Sequence, residues 1–153
     1  MKILFSNIGR RTYMVEFALA LRQQGFDLEL AVADSSDDAA GLYVSDEATR
    51  ILTQRVLDDE AAYADSLLNA CRAEGVDVVI PLTDFELPVL AARKSDFEAA
   101  GVRIIVSDPE IIEGCLDKKR NHTKCTDAGI PVPPTYFDAG AFGGPFPCIV
   151  KKI

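Results

Sequence analysis

The sequence predicts an α/β domain with a mostly parallel sheet covered by helices, and three observations carry that prediction. Short β-branched or apolar runs alternate with longer segments of helical period, the pattern of strands joined by crossover helices. One run, Val76 to Pro81, is nearly all apolar, as a buried central strand is. At 153 residues, 48% apolar and 26% charged, the chain is long enough to bury one core without disulfides or a metal.

The elements follow in order. Lys2 to Ser6 reads as a buried first strand, followed by a turn at Asn7-Ile8-Gly9. A helix is predicted over Arg11 to Gln24, where Met14, Phe17, Ala18 and Leu21 recur every three or four residues and Gly25 supplies the stop. Leu28 to Ala33 is a second strand, Asp34 to Tyr43 a polar loop, and Arg50 to Thr53 a short strand. The next helix, Glu60 to Ala73, gathers Ala64, Leu67, Leu68 and Cys71 on one face and ends at Gly75. After the strand at Val76 to Pro81, Thr83 or Asp84 caps a helix running through to Gly101, with Pro88 in its first turn. Val102 to Val106 is a further strand. The whole reads as a Rossmann-like, doubly wound sheet.

Near residue 113 the character changes. Residues 1–113 carry a net charge of −11 and residues 114–153 one of +3, an asymmetry that marks a boundary between a 1–113 domain and a 114–153 extension. A helix is expected over Asp117 to Ala128, stopped by Gly129. The three prolines of Ile130-Pro-Val-Pro-Pro-Thr135 forbid helix, Phe137 to Pro147 is turn-rich, and Cys148 to Lys151 reads as a last strand.

Composition narrows the function. A formal charge of −8 argues against a surface that must neutralise a phosphate backbone, so nucleic acid is not an expected partner. The longest apolar stretches fall far short of the ~20 residues of a membrane span, and the start shows no basic n-region with an apolar h-region. A cytoplasmic protein without membrane partners is expected. Cys71, Cys115, Cys125 and Cys148 form no C-x-x-C pair and have no histidine at zinc spacing, so they read as reduced, mostly buried thiols.

In an open α/β sheet, ligands bind at the carboxyl ends of the strands. Three loops lie there: Ser6 to Arg11, Asp34 to Gly41, and Thr83 to Glu86. The first holds only one of the glycines a dinucleotide fingerprint needs, which disfavours a nicotinamide site. Arg10 and Arg11 at a helix start can hold an anionic group or form a solvated terminus. Asp34, Asp37 and Asp38 have the look of a magnesium cluster, but loop aspartates commonly cap and turn. Asp84 and Glu86 follow the apolar strand to its ligand edge and are the better candidates for a polar substrate. In the basic segment Asp117 to Lys124, Lys118 and His122 share a helical face with Cys125, and His122 has no nucleophile or carboxylate partner at useful spacing. No catalytic residue and no metal ligand is assigned.

Several strings, in this order, resemble the ATP-grasp superfamily, specifically the pre-ATP-grasp domain and the start of the ATP-grasp domain in enzymes like the large subunit of carbamoyl-phosphate synthase. They are Val79-Ile-Pro-Leu-Thr-Asp84-Phe-Glu86-Leu, then Phe97 to Glu110 with Cys115-Leu-Asp-Lys118, then Gly129-Ile-Pro-Val-Pro eleven residues after Lys118, and Pro147-Cys-Ile-Val-Lys151. The resemblance implies a carboxylate–amine ligase that forms an acyl phosphate from ATP with Mg2+ and then admits an amine. By the same resemblance Lys118 and Lys151 contact the ATP phosphates, as point-charge cations suited to a polyphosphate. Arg10, Arg11, Asp84 and Glu86 are the substrate-side candidates. The family's glycine-rich phosphate loop and magnesium-holding acids have no counterpart in these 153 residues, and Lys152 stands where the family has proline. The chain is therefore expected to be a front end, inactive alone, with a complementary ATP-grasp chain or a homo-oligomer as partner. The alternative is a non-catalytic Rossmann-like module that binds a ligand or a partner.

Overall fold

The computed structural model describes residues 1–144 and 147–150. The chain divides into two compact units, Met1–Pro109 and Glu110–Ile153. In the first, β1 (Lys2–Ser6), β2 (Glu29–Asp34), β3 (Thr49–Leu52), β4 (Val78–Pro81) and β5 (Arg103–Ile104) build one sheet of order β3-β2-β1-β4-β5. All pairings are parallel, with Leu4 opposite Ala31 on one side and Val79 on the other. The order runs outward from β1 to β3, then jumps back across to β4. Right-handed crossovers therefore send the connections to opposite faces.

The burial pattern follows that rule. On one face, α2 (Glu60–Glu74), α3 (Leu87–Ala92) and α4 (Lys94–Ala99) cover Leu4, Ala31, Ala33 and Val79, with Tyr63, Leu67, Leu90 and Phe97 fully buried. On the other, α1 (Thr12–Gln23) and a 3-10 turn at Ala40–Tyr43 cover Phe5, Leu30 and Val32. Leu4 and Phe5 are neighbours that face opposite ways, the period-two alternation of a strand.

Capping chemistry sets the helix ends. The side chain of Asp59 accepts from the Ala62 amide at 2.9 Å, and Gly75 stops α2 in a left-handed conformation at φ 63°. At the end of α1 the amide of Phe26 donates to Leu21 carbonyl and that of Gly25 to Arg22 carbonyl, with Gly25 at φ 96°. That is a Schellman stop, which sets Phe26 beside Leu21.

Five sequence expectations are corrected. The buried side of α1 is Val15 and Ala18, while Phe17 is 63% exposed and Leu21 40%. Both stripes have helical spacing, and only docking on the sheet decides between them. The helix expected through Gly101 is broken into α3 and α4 at Arg93, whose guanidinium pairs with Asp65 and Asp96. Neither Thr83 nor Asp84 caps it: Thr83 donates to Glu86, and α3 starts after Glu86 with Pro88 in its first turn. Residues 148–150 form no strand, and Lys151 lies outside the described residues. Of the four thiols only Cys71 is buried; Cys115 and Cys148 are exposed and Cys125 half-buried.

The second unit holds α5 (Pro109–Leu116), α6 (Lys118–Asp127) and a 3-10 turn at Ala139–Ala141. The Asp117 carboxylate accepts from the Arg120 amide at 2.8 Å and caps α6, which ends at Gly129 in another left-handed stop. The Phe137 ring lies edge-on to His122 at 5.3 Å and 5.9 Å from the Lys119 ammonium. No helix among the described residues is long and apolar enough to cross a membrane.

The close approach at Gly41 is a direct test of the fold. A Cβ there would sit 2.3 Å from Ile8 Cγ1, and the Gly41 amide donates to Gly9 carbonyl at 2.8 Å. Gly41→Ala should therefore cost about 1–3 kcal/mol, the range for overpacking. Gly143→Ala, with nothing within 4 Å, should stay within about 0.5 kcal/mol in the same urea titration.

Candidate functional site

Strand order reverses between β1 and β4, so the turns at their carboxyl ends flank the crevice where ligands of such sheets bind. Those turns are built around one carboxylate. Glu86 is fully buried. Its Oε1 accepts from the amides of Leu82 and Thr83, each at 2.9 Å, and from Thr83 Oγ1 at 3.0 Å. Its Oε2 accepts from Ser6 Oγ at 2.7 Å and from the Tyr63 hydroxyl. An ionised carboxylate is acceptor-only and offers about four lone-pair sites, so five donors saturate it.

From Glu86 the network runs outward along the edge. Asn7 Nδ2 donates to the Tyr63 hydroxyl at 3.0 Å, which pins a residue whose backbone lies in the left-handed region at φ 47°. Asparagine tolerates that conformation better than other side chains. The Arg11 guanidinium reaches back to Asn7 carbonyl at 3.4 Å. On the other side, Asp34 at the end of β2 accepts from the Gly9 amide at 2.8 Å and from the Ser36 amide at 3.0 Å. The Ile8 amide donates to Ala33 carbonyl at 3.0 Å. The β1 turn is thus tied to both neighbouring strand ends.

The predicted site residues separate accordingly. Arg10 and Asp84 are exposed on the carboxyl edge, and Arg11 is half-buried there. Glu86, expected to hold substrate, is sealed from solvent with both its oxygens engaged by the turns of the edge. Lys118 is exposed as the first residue of α6; Lys151 lies outside the described residues. Asp34 is spent on backbone amides, and no group of three or more potential metal ligands occurs among the described residues. Asp34, Asp37 and Asp38 therefore do not gather as a metal-ligand group among the described residues. Sequence reasoning placed Ser6, Asn7 and Thr83 in loops at the ligand edge without this role, and missed Tyr63. Tyr63 lies four residues before Leu67 on the buried stripe of α2, and a buried tyrosine hydroxyl needs a partner.

Burial, and then the neighbouring Glu86 charge, hold the Tyr63 phenol well above its ordinary value. Burial alone pushes the Cys71 thiol up to about 12. Both groups keep their protons in the folded chain at pH values where an unfolded chain has released them. Their stabilisation is complete below the unfolded values, ~8.5 for the thiol and ~10 for the phenol, and is lost as pH rises above them.

We expect the urea midpoint to fall steadily between about pH 9 and 11, and Tyr63→Phe to remove the phenol's share of the slope above about pH 10. A midpoint constant across that window would contradict the assignment. At neutral pH Tyr63→Phe should cost about 1.5–3 kcal/mol, the value of a bond to a charged group. Glu86→Ala, which strands five donors, should cost about 3–5 kcal/mol by the same titration.

Solved structures with this fold include the biotin carboxylase subunit of pyruvate carboxylase, at 24% identity and TM-score 0.56, covering 87% of this chain and 28% of that one. L-amino acid ligase from Bacillus licheniformis matches at 15% identity and TM-score 0.60, over 86% and 31% of the two chains. N5-carboxyaminoimidazole ribonucleotide synthetase from Thermotoga maritima matches at 21% and 0.54, over 87% and 32%. The chain spans less than a third of the length of these proteins. Their common fold here is the five-stranded parallel sheet of the N-terminal domain of ATP-grasp enzymes. No curated protein matches the chain. Residues 3–105, the sheet and the turns at its ligand edge, match the model of the PylC-like N-terminal domain, and the chain belongs to that family.

Proposed function

We propose that this chain supplies the substrate-side, pre-ATP-grasp domain of an ATP-dependent carboxylate–amine ligase, together with the opening elements of its nucleotide domain from residue 114 onward. The observation that supports the reading most is the Glu86-centred edge at the switch point. It fixes the β1 and β4 turns in place while leaving Arg10 and Asp84 exposed and Arg11 half-buried beside the crevice. Cations there suit a carboxylate substrate or its acyl phosphate, and an acid suits an amine or hydroxyl. Glu86 acts on the substrate only through the turns it holds.

In this reading the protein is cytoplasmic and takes ATP and a small carboxylate as ligands. Lys118 and Lys151 face the ATP phosphates. The Asp-Lys and Gly-Ile-Pro-Val-Pro strings between Cys115 and Pro133 support a carbamoyl-phosphate-synthase-like order of elements. In this reading the phosphoryl-transfer machinery belongs to the rest of the ligase, and the 153-residue chain contributes binding and positioning without turnover.

Two measurements test this. The 153-residue chain, mixed with ATP, magnesium and candidate carboxylates, should release no phosphate above background. In the whole protein, Lys118→Ala and Lys151→Ala should each weaken ATP binding by roughly tenfold to a hundredfold, the equivalent of about 1.5–3 kcal/mol for bonds to charged groups. Lys119, 5.9 Å from the Phe137 ring, is the control: Lys119→Ala should change the calorimetric affinity less than about twofold. Equal losses at Lys118 and Lys119 would point to a general basic surface and end the nucleotide assignment.

A further inference from the structure

The turn after β1 carries a polar side chain whose orientation is dictated from inside the domain. The Glu86 carboxylate only accepts, so the Tyr63 hydroxyl that reaches its Oε2 spends its single hydrogen there. The Tyr63 oxygen can then only accept. Asn7 meets it with its donor end, Nδ2, at 3.0 Å. A flipped carboxamide would set Oδ1 against the Tyr63 oxygen, two acceptors with no proton between them. The Asn7 side chain is therefore locked with Oδ1 turned away from Tyr63.

That oxygen is the open end of the line. Among the described residues no donor reaches Asn7 Oδ1, and the buried side-chain atom left without a partner is Thr53 Oγ1, so Oδ1 of the half-buried Asn7 opens to solvent. It does so at the carboxyl end of β1, on the turn that flanks the switch-point crevice. The backbone beneath it is held as well. The Arg11 guanidinium donates to Asn7 carbonyl at 3.4 Å, and the next two amides, of Ile8 and Gly9, donate to Ala33 carbonyl and to Asp34. Glu86, Tyr63 and Asn7 thus form a hydrogen-bonded line that ends in a fixed, uncharged acceptor.

We infer that Asn7 is a specificity-determining residue of the ligand edge, whose Oδ1 accepts a hydrogen bond from an N–H or O–H group carried by the carboxylate substrate. The inference rests on the carboxylate reading proposed above, in which Arg10 and Arg11 take the anionic end. It narrows that reading to carboxylates that bear an amine or a hydroxyl within reach of the β1 turn. A fixed acceptor pays little to orient itself, so it favours such a ligand over one that leaves it to water. Asparagine suits the position on two counts. Aspartate would present an acceptor but could not donate to Tyr63, and most other side chains are strained at φ 47°.

Nitrogen–proton correlation spectra of the 153-residue chain, titrated with propionate, lactate and alanine, read this directly. The probes share a carboxylate and a carbon skeleton and differ in carrying a hydrogen, a hydroxyl or an ammonium on the neighbouring carbon. The Asn7 side-chain resonances and the Gly9 and Arg10 amides report on the turn. Lactate or alanine should bind about threefold to tenfold more tightly than propionate, the worth of one added hydrogen bond. Which of the two binds better tells a hydroxyl from an amine. Asn7→Gly, which keeps the left-handed backbone, should bring all three affinities within about twofold of one another. Tyr63→Phe, which removes the lock and lets the carboxamide turn, should lower the preference while propionate stays within about twofold of its parent affinity. Equal affinities in the parent chain overturn the inference and leave the carboxylate reading standing, whereas no shift at the turn with any probe overturns both. A preference that survives either substitution ends the assignment. So does a uniform loss across the probes in Asn7→Gly, the signature of a purely structural role.

Discussion

A buried carboxylate holds the ligand edge of this domain. Removing a charged group from water is costly unless every lone pair finds a donor. Glu86 meets that requirement with donors from three elements: Ser6 at the end of β1, Tyr63 in α2, and Leu82 and Thr83 in the turn after β4. None of these elements can shift without uncovering the charge. The edge is therefore one cooperative unit, and the conformation of the β1 turn follows from it through Asn7 and Tyr63.

That arrangement separates positioning from contact. A binding site needs its contacting groups held by a shell whose own conformations are locked by packing and hydrogen bonds. Glu86 and Asp34 serve as the shell, each accepting backbone amides from the turns. Arg10 and Asp84 stand outside it, in solvent, where a ligand can reach them. Acidic residues at strand ends thus divide into two kinds by burial, and composition does not tell them apart.

Helix α1 shows the same ambiguity for apolar residues. Met14, Phe17, Ala18 and Leu21 have the spacing of a core face, and so do Val15 and Ala18 with their neighbours. With apolar residues on both sides of α1, spacing by itself does not choose which side is buried. The small and β-branched residues went inward, because the sheet face lies close there, and the aromatic residues were left outside.

Sequence alone determined what depends on local rules. The alternation of strands and helices, the extent of β1 and α2, the caps at Asp59 and Asp117 and the stops at Gly25, Gly75 and Gly129 all follow from period and backbone chemistry within a few residues. Tertiary structure decided the rest. It set the strand order, the inward side of α1, the break at Arg93 and the role of Glu86, whose partners lie 80 residues away at Ser6 and 23 away at Tyr63. An acidic residue in a turn has the same local preferences whether it meets water or five donors, and only the packing of β1, α2 and β4 brings those donors to it.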